Sequence, residues 1–306
     1  MEDLKLIVAP SPHVRDTDST EKIMLTVLIA LLPVLGASIY LFRWDAVRLV
    51  LLSAAAAVAT EAIFQRFRNK PISIGDGSAL VTGVLLGLIV PPSLPSWMVI
   101  LGSAFAIAIG KQVFGGLGQN PFNPALVGRA FLTASFASAM TSWTAPFDAV
   151  STATPLVLGA ARSNLPNLFF GAVAGSLGET SALAILVGGI YLFYKGALDY
   201  RIPVGILGTV VVMSLITGQD PVFHLLAGSV LFGAVFMATD PVTSPVTVRG
   251  RWIFGIGVGL IIMLIRVWGS YPDGVTFAIL LMNAVTPLLN RWTRPRIYGQ
   301  GVKANE

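Results

Sequence analysis

Four short stretches of this chain carry the residue types with which it could do chemistry. The segment 148–156 reads Asp-Ala-Val-Ser-Thr-Ala-Thr-Pro-Leu, so Ser151, Thr152 and Thr154 offer hydroxyls beside the small Ala153. Such a run has two readings. It is a solvated turn whose hydroxyls cap a short helix, or it holds a threonine among small neighbours so that a bulky phosphate-bearing group can reach its oxygen. Gly175-Ser176-Leu177-Gly178-Glu179-Thr180-Ser181 sets glycines, hydroxyls and a carboxylate just ahead of an apolar run. It reads as an N-cap with an acidic first turn, or as a close-approach site where hydroxyls and helix amides bind a phosphate or a ligand carbonyl. Tyr271-Pro272-Asp273-Gly274 has the composition of a turn. Asn120, Asn123 and Asp240 stand in Pro-rich segments between apolar runs. There they mark a ligand, an ion or a closed hydrogen-bond network, or they cap broken helices.

Other chemistries are excluded by what is missing. With no cysteine, the chain has no disulfide, no thiolate-ligated zinc and no cysteine-held iron–sulfur cluster of its own. His13 and His224 are its only histidines, and they fall too far apart in the expected topology to ligate one haem. The balance of 20 Lys and Arg against 15 Asp and Glu does not point to nucleic acid, since in so apolar a chain the placement of positive charge matters more than its sum. No metal site is expected.

The elements that must position these residues follow from composition. A chain 55% hydrophobic and 11% charged is far from the roughly 25% charge of a soluble domain. Apolar runs recur from Ile23 to Leu289, so residues 1–306 read as one all-α, polytopic membrane domain. A helix needs about 20 apolar residues to cross the bilayer core. The expected spans are 22–42, 45–65, 77–92, 96–114, 124–142, 180–195, 203–218, 222–239, 252–269 and 274–290, about ten transmembrane helices. The acidic, Pro-containing start differs from a secretory signal, so the first apolar run is expected to remain as a helix. With a cytoplasmic N-terminus, all 20 basic residues except Arg43, Arg48, Arg162 and Arg266 fall inside, as the positive-inside rule requires. The chain then divides into a cytoplasmic segment 1–21, a helical half 22–142, an outer loop 143–179, a second half 180–290 and a cytoplasmic tail 291–306. Lys111 and Arg129 count among the inner residues, Arg129 as an interface anchor; Glu61 is expected to face the headgroups near Arg66 and Arg68 or else to line an ion path, and His224 to sit at the outer interface.

Two echoes suggest an internal repeat. Asn120-Pro121-Phe122-Asn123-Pro124 with Gly128-Arg129 is matched by Asp240-Pro241-Val242-Thr243-Ser244-Pro245 with Gly250-Arg251, and Asp76-Gly77 by Asp273-Gly274 on the other side. Five helices per half would invert the second half relative to the first, a plan common in transport proteins. Loop 143–179 is rich in Gly, Pro, Ser and Thr, and short half-helices and turns are expected in it.

Taken in order, these stretches resemble the membrane subunits of the Rnf and Na⁺-NQR respiratory complexes, the NqrB/RnfD family. Segment 148–156 resembles their S(T)-x-A-T flavinylation motif, with Thr152 standing where Gly is more usual. Gly115-Gly116-Leu117-Gly118-Gln119-Asn120-Pro121-Phe122-Asn123-Pro124-Ala125-Leu126, the 175–181 stretch, Met237-Ala238-Thr239-Asp240-Pro241-Val242-Thr243 and Tyr271-Pro272-Asp273-Gly274-Val275 resemble further family stretches. The likeness is greatest to the RnfD members of the family and more distant to the NqrB members.

The resemblance implies FMN esterified through its phosphate to Thr154 in the 143–179 loop, with Thr152 as a second candidate hydroxyl. The pocket would draw on Ser151, Thr152, Ala153, Ser176, Gly178, Glu179, Thr180, Ser181, Tyr271, Asp273 and Gly274, with Arg129 or Arg251, as an alternative to anchoring at the inner interface, offsetting the negative charge of a reduced flavin. It also implies a non-covalent riboflavin at Asn120, Asn123 and Asp240, against the reading of these side chains as caps of broken helices. No side chain is implied as catalytic. The function implied is that of one flavoprotein subunit, not a complete enzyme, of an ion-translocating ferredoxin:NAD⁺ oxidoreductase that couples electron transfer to Na⁺ or H⁺ movement. Its place would be the bacterial inner membrane, with both termini cytoplasmic and Thr154 outside. The implied partners are the other Rnf subunits, including a second covalent-FMN subunit and membrane iron–sulfur subunits, with a flavin transferase and the lipid bilayer. Other classes remain open: an NqrB-type subunit that passes electrons to quinone, a flavin-free urea- or ammonium-like channel, or a scaffold that has lost electron transfer.

Overall fold

The computed structural model describes residues 19–69, 71, 73–147, 153–158, 164–269 and 273–295. Ser19 accepts a hydrogen bond from Lys22 N and opens α1 (Thr20–Phe42). Arg43, at φ 51°, turns the chain directly into α2 (Trp44–Phe67). A 3₁₀ turn at Ile74–Asp76 leads to α3 (Ser78–Leu88). Pro95 precedes α4 (Ser96–Ile107), which runs on as a π-helical stretch at Ala108–Gln112. Asn123, followed by a proline suited to the first turn, caps α5 (Pro124–Ser135). Three short helices come next, α6 (Ala137–Met140), α7 (Pro155–Leu158) and α8 (Leu165–Phe170). They lead to α9 (Ala182–Tyr194), α10 (Arg201–Ile216) and α11 (Pro221–Leu226). The last elements are α12 (Val230–Phe232) with a second π-helical stretch at Gly233–Met237, then α13 (Val248–Trp268) and α14 (Val275–Trp292). No β-strand occurs among the described residues.

The chain is helical as expected, but fewer helices than expected have the length of a full span. Among the described residues, α1, α2 and α13 are long and apolar enough to cross a membrane, while α3, α4 with its π stretch, α9 and α10 are shorter apolar helices. The expected 77–92 helix stops at Leu88. The 124–142 helix is split where Phe136 leaves helical geometry. The 222–239 helix is interrupted between Leu226 and Val230, where Gly228 adopts φ +72°. Such interruptions are tolerated inside a bundle because neighbouring elements satisfy the freed backbone groups.

Small residues let the helices approach closely. A Cβ on Gly83 would lie 2.6 Å from Ala54 Cα, and one on Gly87 2.8 Å from Val50 Cα, so α3 sits against the backbone of α2. Across α10 and α13, a Cβ on Gly255 or Gly259 would come within 2.7 Å of the carbonyl oxygens of Ile202 and Ile206. Ser53 Oγ on α2 donates to Gly83 O at 2.6 Å and lies 2.8 Å from Ser103 Oγ on α4, tying three helices together in the core.

Candidate functional site

The loop ahead of α9 is pinned by two helices that precede it by a long stretch of chain. Gly178 N donates to Leu88 O at 2.7 Å and Leu177 N to Val90 O at 3.3 Å, just past α3. Ser38 Oγ of α1 donates to Leu177 O at 2.6 Å. A Cβ on Gly178 would lie 2.8 Å from Leu88 Cβ, so only glycine fits between loop and helix. Held in this way, Gly175, Ser176, Glu179 and Thr180 form one wall of a cavity of about 460 Å³. The opposite wall comes from Trp143, Thr154, Pro155 and Leu156, with Leu226, Gly228 and Asp273 at one side and Arg129 of α5 beneath.

Thr154 stands directly before α7, and its carbonyl accepts from Val157 N at 3.0 Å. Its side chain is 7% exposed, yet the hydroxyl has no hydrogen-bond partner. The Thr180 hydroxyl is buried and unpartnered as well. Below them lies a network of opposite charges. Arg129 Nη1 pairs with Glu179 Oε1, and Arg129 Nη2 lies 3.5 Å from Asp273 Oδ2. Arg266 Nη2 lies 3.6 Å from Asp273 Oδ1, while its Nη1 and Nη2 donate to His224 O at 2.7 Å and Ala227 O at 2.8 Å. Ser229 Oγ donates to Asp273 Oδ2. Burial, joined by the like charge of Asp273, pushes the Glu179 carboxyl up to about 7, although Arg129 pulls it the other way.

A second cavity, of about 760 Å³, lies at the other ends of the same helices. Met24 and Val27 of α1, Ser78 to Leu85 of α3 and Leu192 of α9 line it together with Asn120, Asn123, Asp240 and Lys111. Asn123 Oδ1 caps α5, accepting from Ala125 N at 3.1 Å and Leu126 N at 3.3 Å. Asp240 accepts from Val242 N at 3.2 Å and Thr243 Oγ1 at 3.1 Å. Both residues therefore do the capping work of a broken backbone and face a cavity. Asn120 Nδ2 donates to Phe122 O at 3.1 Å, but its Oδ1 is buried without a partner. At the edge of this cavity Lys111 Nζ lies 2.8 Å from both carboxylate oxygens of Glu61 and donates to Ser78 Oγ at 2.6 Å.

Of the residues expected at the first site, Thr154, Ser176, Glu179, Thr180 and Asp273 line one cavity. Gly178 supports it from behind, Ser181 caps α9 through Ala184 N, and Gly274 packs on Ile265 at the start of α14. Ala153 is exposed beside Thr154. Ser151, Thr152 and Tyr271 lie outside the described residues. Asn120, Asn123 and Asp240 meet as expected around the second cavity. Three expectations are corrected. Arg129 is no interface anchor but is buried and paired with Glu179 and Asp273. Glu61 does not face headgroups; its side chain and that of Lys111, with which it pairs, are each 1% exposed. His224 is buried rather than interfacial. Sequence reasoning also missed Arg266 and Gly228 as parts of the site; the one available signal was a lone arginine inside an apolar run.

Residues 7–299 match the model of the NQR2, RnfD, RnfE family. The chain is 50% identical to the D subunit of the Na⁺-translocating ferredoxin:NAD⁺ oxidoreductase complex of Acetobacterium woodii, over 98% of this chain and 97% of that one. It is 44% identical to the D subunit of the proton-translocating ferredoxin:NAD⁺ oxidoreductase complex of Clostridium ljungdahlii, over 95% and 96% of the two chains. The D subunit of the ion-translocating oxidoreductase complex of Citrobacter koseri is 38% identical, over 95% and 98%. The chain belongs to the NQR2, RnfD, RnfE family.

Proposed function

From that membership and the first cavity, we propose that this chain is the electron-carrying D subunit of an Rnf-type, ion-translocating ferredoxin:NAD⁺ oxidoreductase, with FMN esterified through its phosphate to Thr154 Oγ1. The observation that carries the reading is the Thr154 hydroxyl, buried and unpartnered in the cavity wall. Leaving such a group unsatisfied costs about 1–3 kcal/mol, and an ester to a bound group removes the cost. Thr180 supplies a second free hydroxyl, and the cavity combines apolar walls with a few converging polar groups, the make-up of a small-molecule site. Donors, cations and a nucleophilic hydroxyl in one cavity suit a phosphate-bearing ring system.

FMN, when bound, supplies the reversible one-electron chemistry that the side chains lack. Thr154 tethers, while Thr180 and Ser176 offer hydroxyls to the ligand. Trp143, Leu156, Val173 and Leu226 exclude water, which strengthens every electrostatic interaction inside. Arg129 and Arg266 hold positive charge beneath. The second cavity, with the free Asn120 Oδ1 and with Asn123 and Asp240, fits a non-covalent riboflavin. Asn123, in the wall of one cavity, and Arg129, in the wall of the other, are about 9 Å apart along α5.

The cavities lie at opposite ends of α1, α3 and α9, which supports a Thr154 cavity on the outer face of the bacterial inner membrane with both termini cytoplasmic. A π-helical stretch precedes each arm of the Asn120/Asp240 motif pair, which supports an internal repeat; with it we propose the plan of about ten crossing segments in two inverted halves. The proposed partners are the remaining subunits of the complex, a second covalent-FMN subunit and iron–sulfur subunits among them, with a flavin transferase that forms the ester. Relatives named for Na⁺ and for proton translocation support one of those two ions as the coupled one.

The test is mass analysis of peptides from the protein produced together with its flavin transferase. The peptide containing Thr154 is expected to gain the mass of FMN less one water, and Thr154→Ala to lose the gain. An unmodified Thr154 peptide, under conditions where the transferase labels a known substrate, refutes the reading.

A further inference from the structure

We propose that Glu179 is the proton acceptor of the Thr154 cavity: when an electron is added to the cavity's occupant, the Glu179 carboxylate takes up one proton. This rests on the cavity being the covalent FMN site. The network beneath it is balanced, Arg129 and Arg266 against Glu179 and Asp273. These are the charged groups around Glu179 from α5, from α13 and from the segment ahead of α14. The remaining elements contribute Thr154 before α7, Ser229 before α12 and His224 on α11, whose carbonyl holds Arg266. An electron added here unbalances a site shielded from water, where uncompensated charge is costly.

The two carboxylates are not equally able to relieve that imbalance. Asp273 accepts a hydrogen bond from Ser229 and has both arginines near it, Arg129 at 3.5 Å and Arg266 at 3.6 Å. Among the described residues Glu179 has Arg129 as its single ion-pair partner, with the Ser176 hydroxyl beside it, and is the more buried, its side chain 5% exposed against 15% for Asp273. Glu179 is therefore the anion held less firmly. Burial already pushes its carboxyl up to about 7, and a further negative charge nearby raises it again.

The step balances. One electron arrives from a reduced redox subunit of the complex, one proton from water forms an O–H bond at a Glu179 Oε, no bond breaks, and the net charge of the cavity stays the same. Oxidation of the occupant returns the proton. With Glu179 neutral, Arg129 Nη1 loses its anionic partner while Nη2 stays beside Asp273, so one protonation both cancels charge and leaves part of a guanidinium to face the new negative charge.

The test uses the assembled complex, with the Thr154 adduct first established by peptide mass. Infrared difference spectra between oxidised and reduced states at about pH 8, one unit above the value to which burial brings Glu179, are expected to show a protonated-carboxyl C=O band on reduction. The band should vanish in Glu179→Gln, shift in frequency in Glu179→Asp and persist in Asp273→Asn. The midpoint potential should fall by about 59 mV per tenfold drop in proton activity above pH 7 and flatten below, where Glu179 is protonated in both states. An adduct that reduces reversibly with no such band, or with a band that survives Glu179→Gln, overturns the proton inference and leaves the FMN site standing. If Glu179→Gln does not assemble, a band unmoved in Glu179→Asp overturns it equally. No adduct at all refutes the site reading itself.

Discussion

The Glu61–Lys111 pair gives the sharpest test of how this bundle holds charge. Both side chains are 1% exposed, and Lys111 Nζ lies 2.8 Å from each carboxylate oxygen. Ser78 Oγ, Gln112 Nε2 and Gln65 Nε2 complete the shell at 2.6, 2.9 and 3.2 Å. Lys111→Met leaves the carboxylate with neutral donors alone, and removing one partner of such a pair costs about 3–5 kcal/mol. At about 1.4 kcal/mol per tenfold, that is a loss of more than a hundredfold in the folded-to-unfolded ratio. Replacing both partners by apolar residues of similar volume, Glu61→Leu with Lys111→Met, removes the charge together with its desolvation cost and should be near neutral. The coupling energy of the double-mutant cycle is then about 3 kcal/mol or more. Equilibrium unfolding in mixed micelles of dodecyl maltoside and SDS, followed by tryptophan fluorescence, measures all four corners. A single Lys111→Met within about 1 kcal/mol of wild type, or a double variant as unstable as the singles, would refute the reasoning.

Two further outcomes are expected. The raised Glu179 carboxyl means that the folded, flavin-free chain binds more protons than the unfolded chain between the ordinary value of 4.5 and about 7. Its contribution to stability is thus fully present below 4.5 and lost as pH rises to about 7, with a slope of at most about 1.4 kcal/mol per pH unit; Glu179→Gln should flatten the profile, and a profile that keeps its slope counts against the burial of this group. In Gly228→Ala, the new Cβ at φ +72° would lie 2.8 Å from Leu156 Cδ1 and 2.9 Å from Arg266 Nη2, so about 1–3 kcal/mol of stability should be lost, read by thermal unfolding; on the proposed FMN reading, flavin fluorescence of the denatured band should fall with it.

The parts of the two sites that were legible in the sequence are those that lie together along it. Gly175 to Thr180, the hydroxyls around Thr154, and the Asn120–Asn123 pair are local clusters of polar and small residues, conspicuous within an apolar chain. Arg266 and Lys111 were not legible as site residues, and Arg129 was legible first as an interface anchor and only second as a cation for a reduced flavin. Each is a single cation inside or at the end of an apolar helix, and charge counting assigns such a residue to the nearest membrane face. Only the fold brings Arg129 against Glu179, and Asp273 between two arginines. Helix breaks were hidden for a similar reason. Ala227 and Gly228 are as apolar as their neighbours, so hydropathy runs straight through a point where the backbone turns. The shortness of α3 likewise reflects tertiary satisfaction of its end, by the 175–181 loop at Leu88.

Helix α5 has Asn123 and Pro124 in the wall of one cavity and Arg129 in the wall of the other. It is only 12 residues long and is wedged against α4, where a Cβ on Gly128 would meet Ala106 and the Gly102 carbonyl at 2.9 Å. A rigid strut of this kind cannot yield at one end alone. Any ligand that displaces it from one chamber reshapes the other, and thermodynamic reciprocity makes the resulting change in affinity the same in both directions. On the proposed reading, in which both chambers hold a flavin, the order of filling and the tightness with which each keeps its contents become a joint property of one short helix.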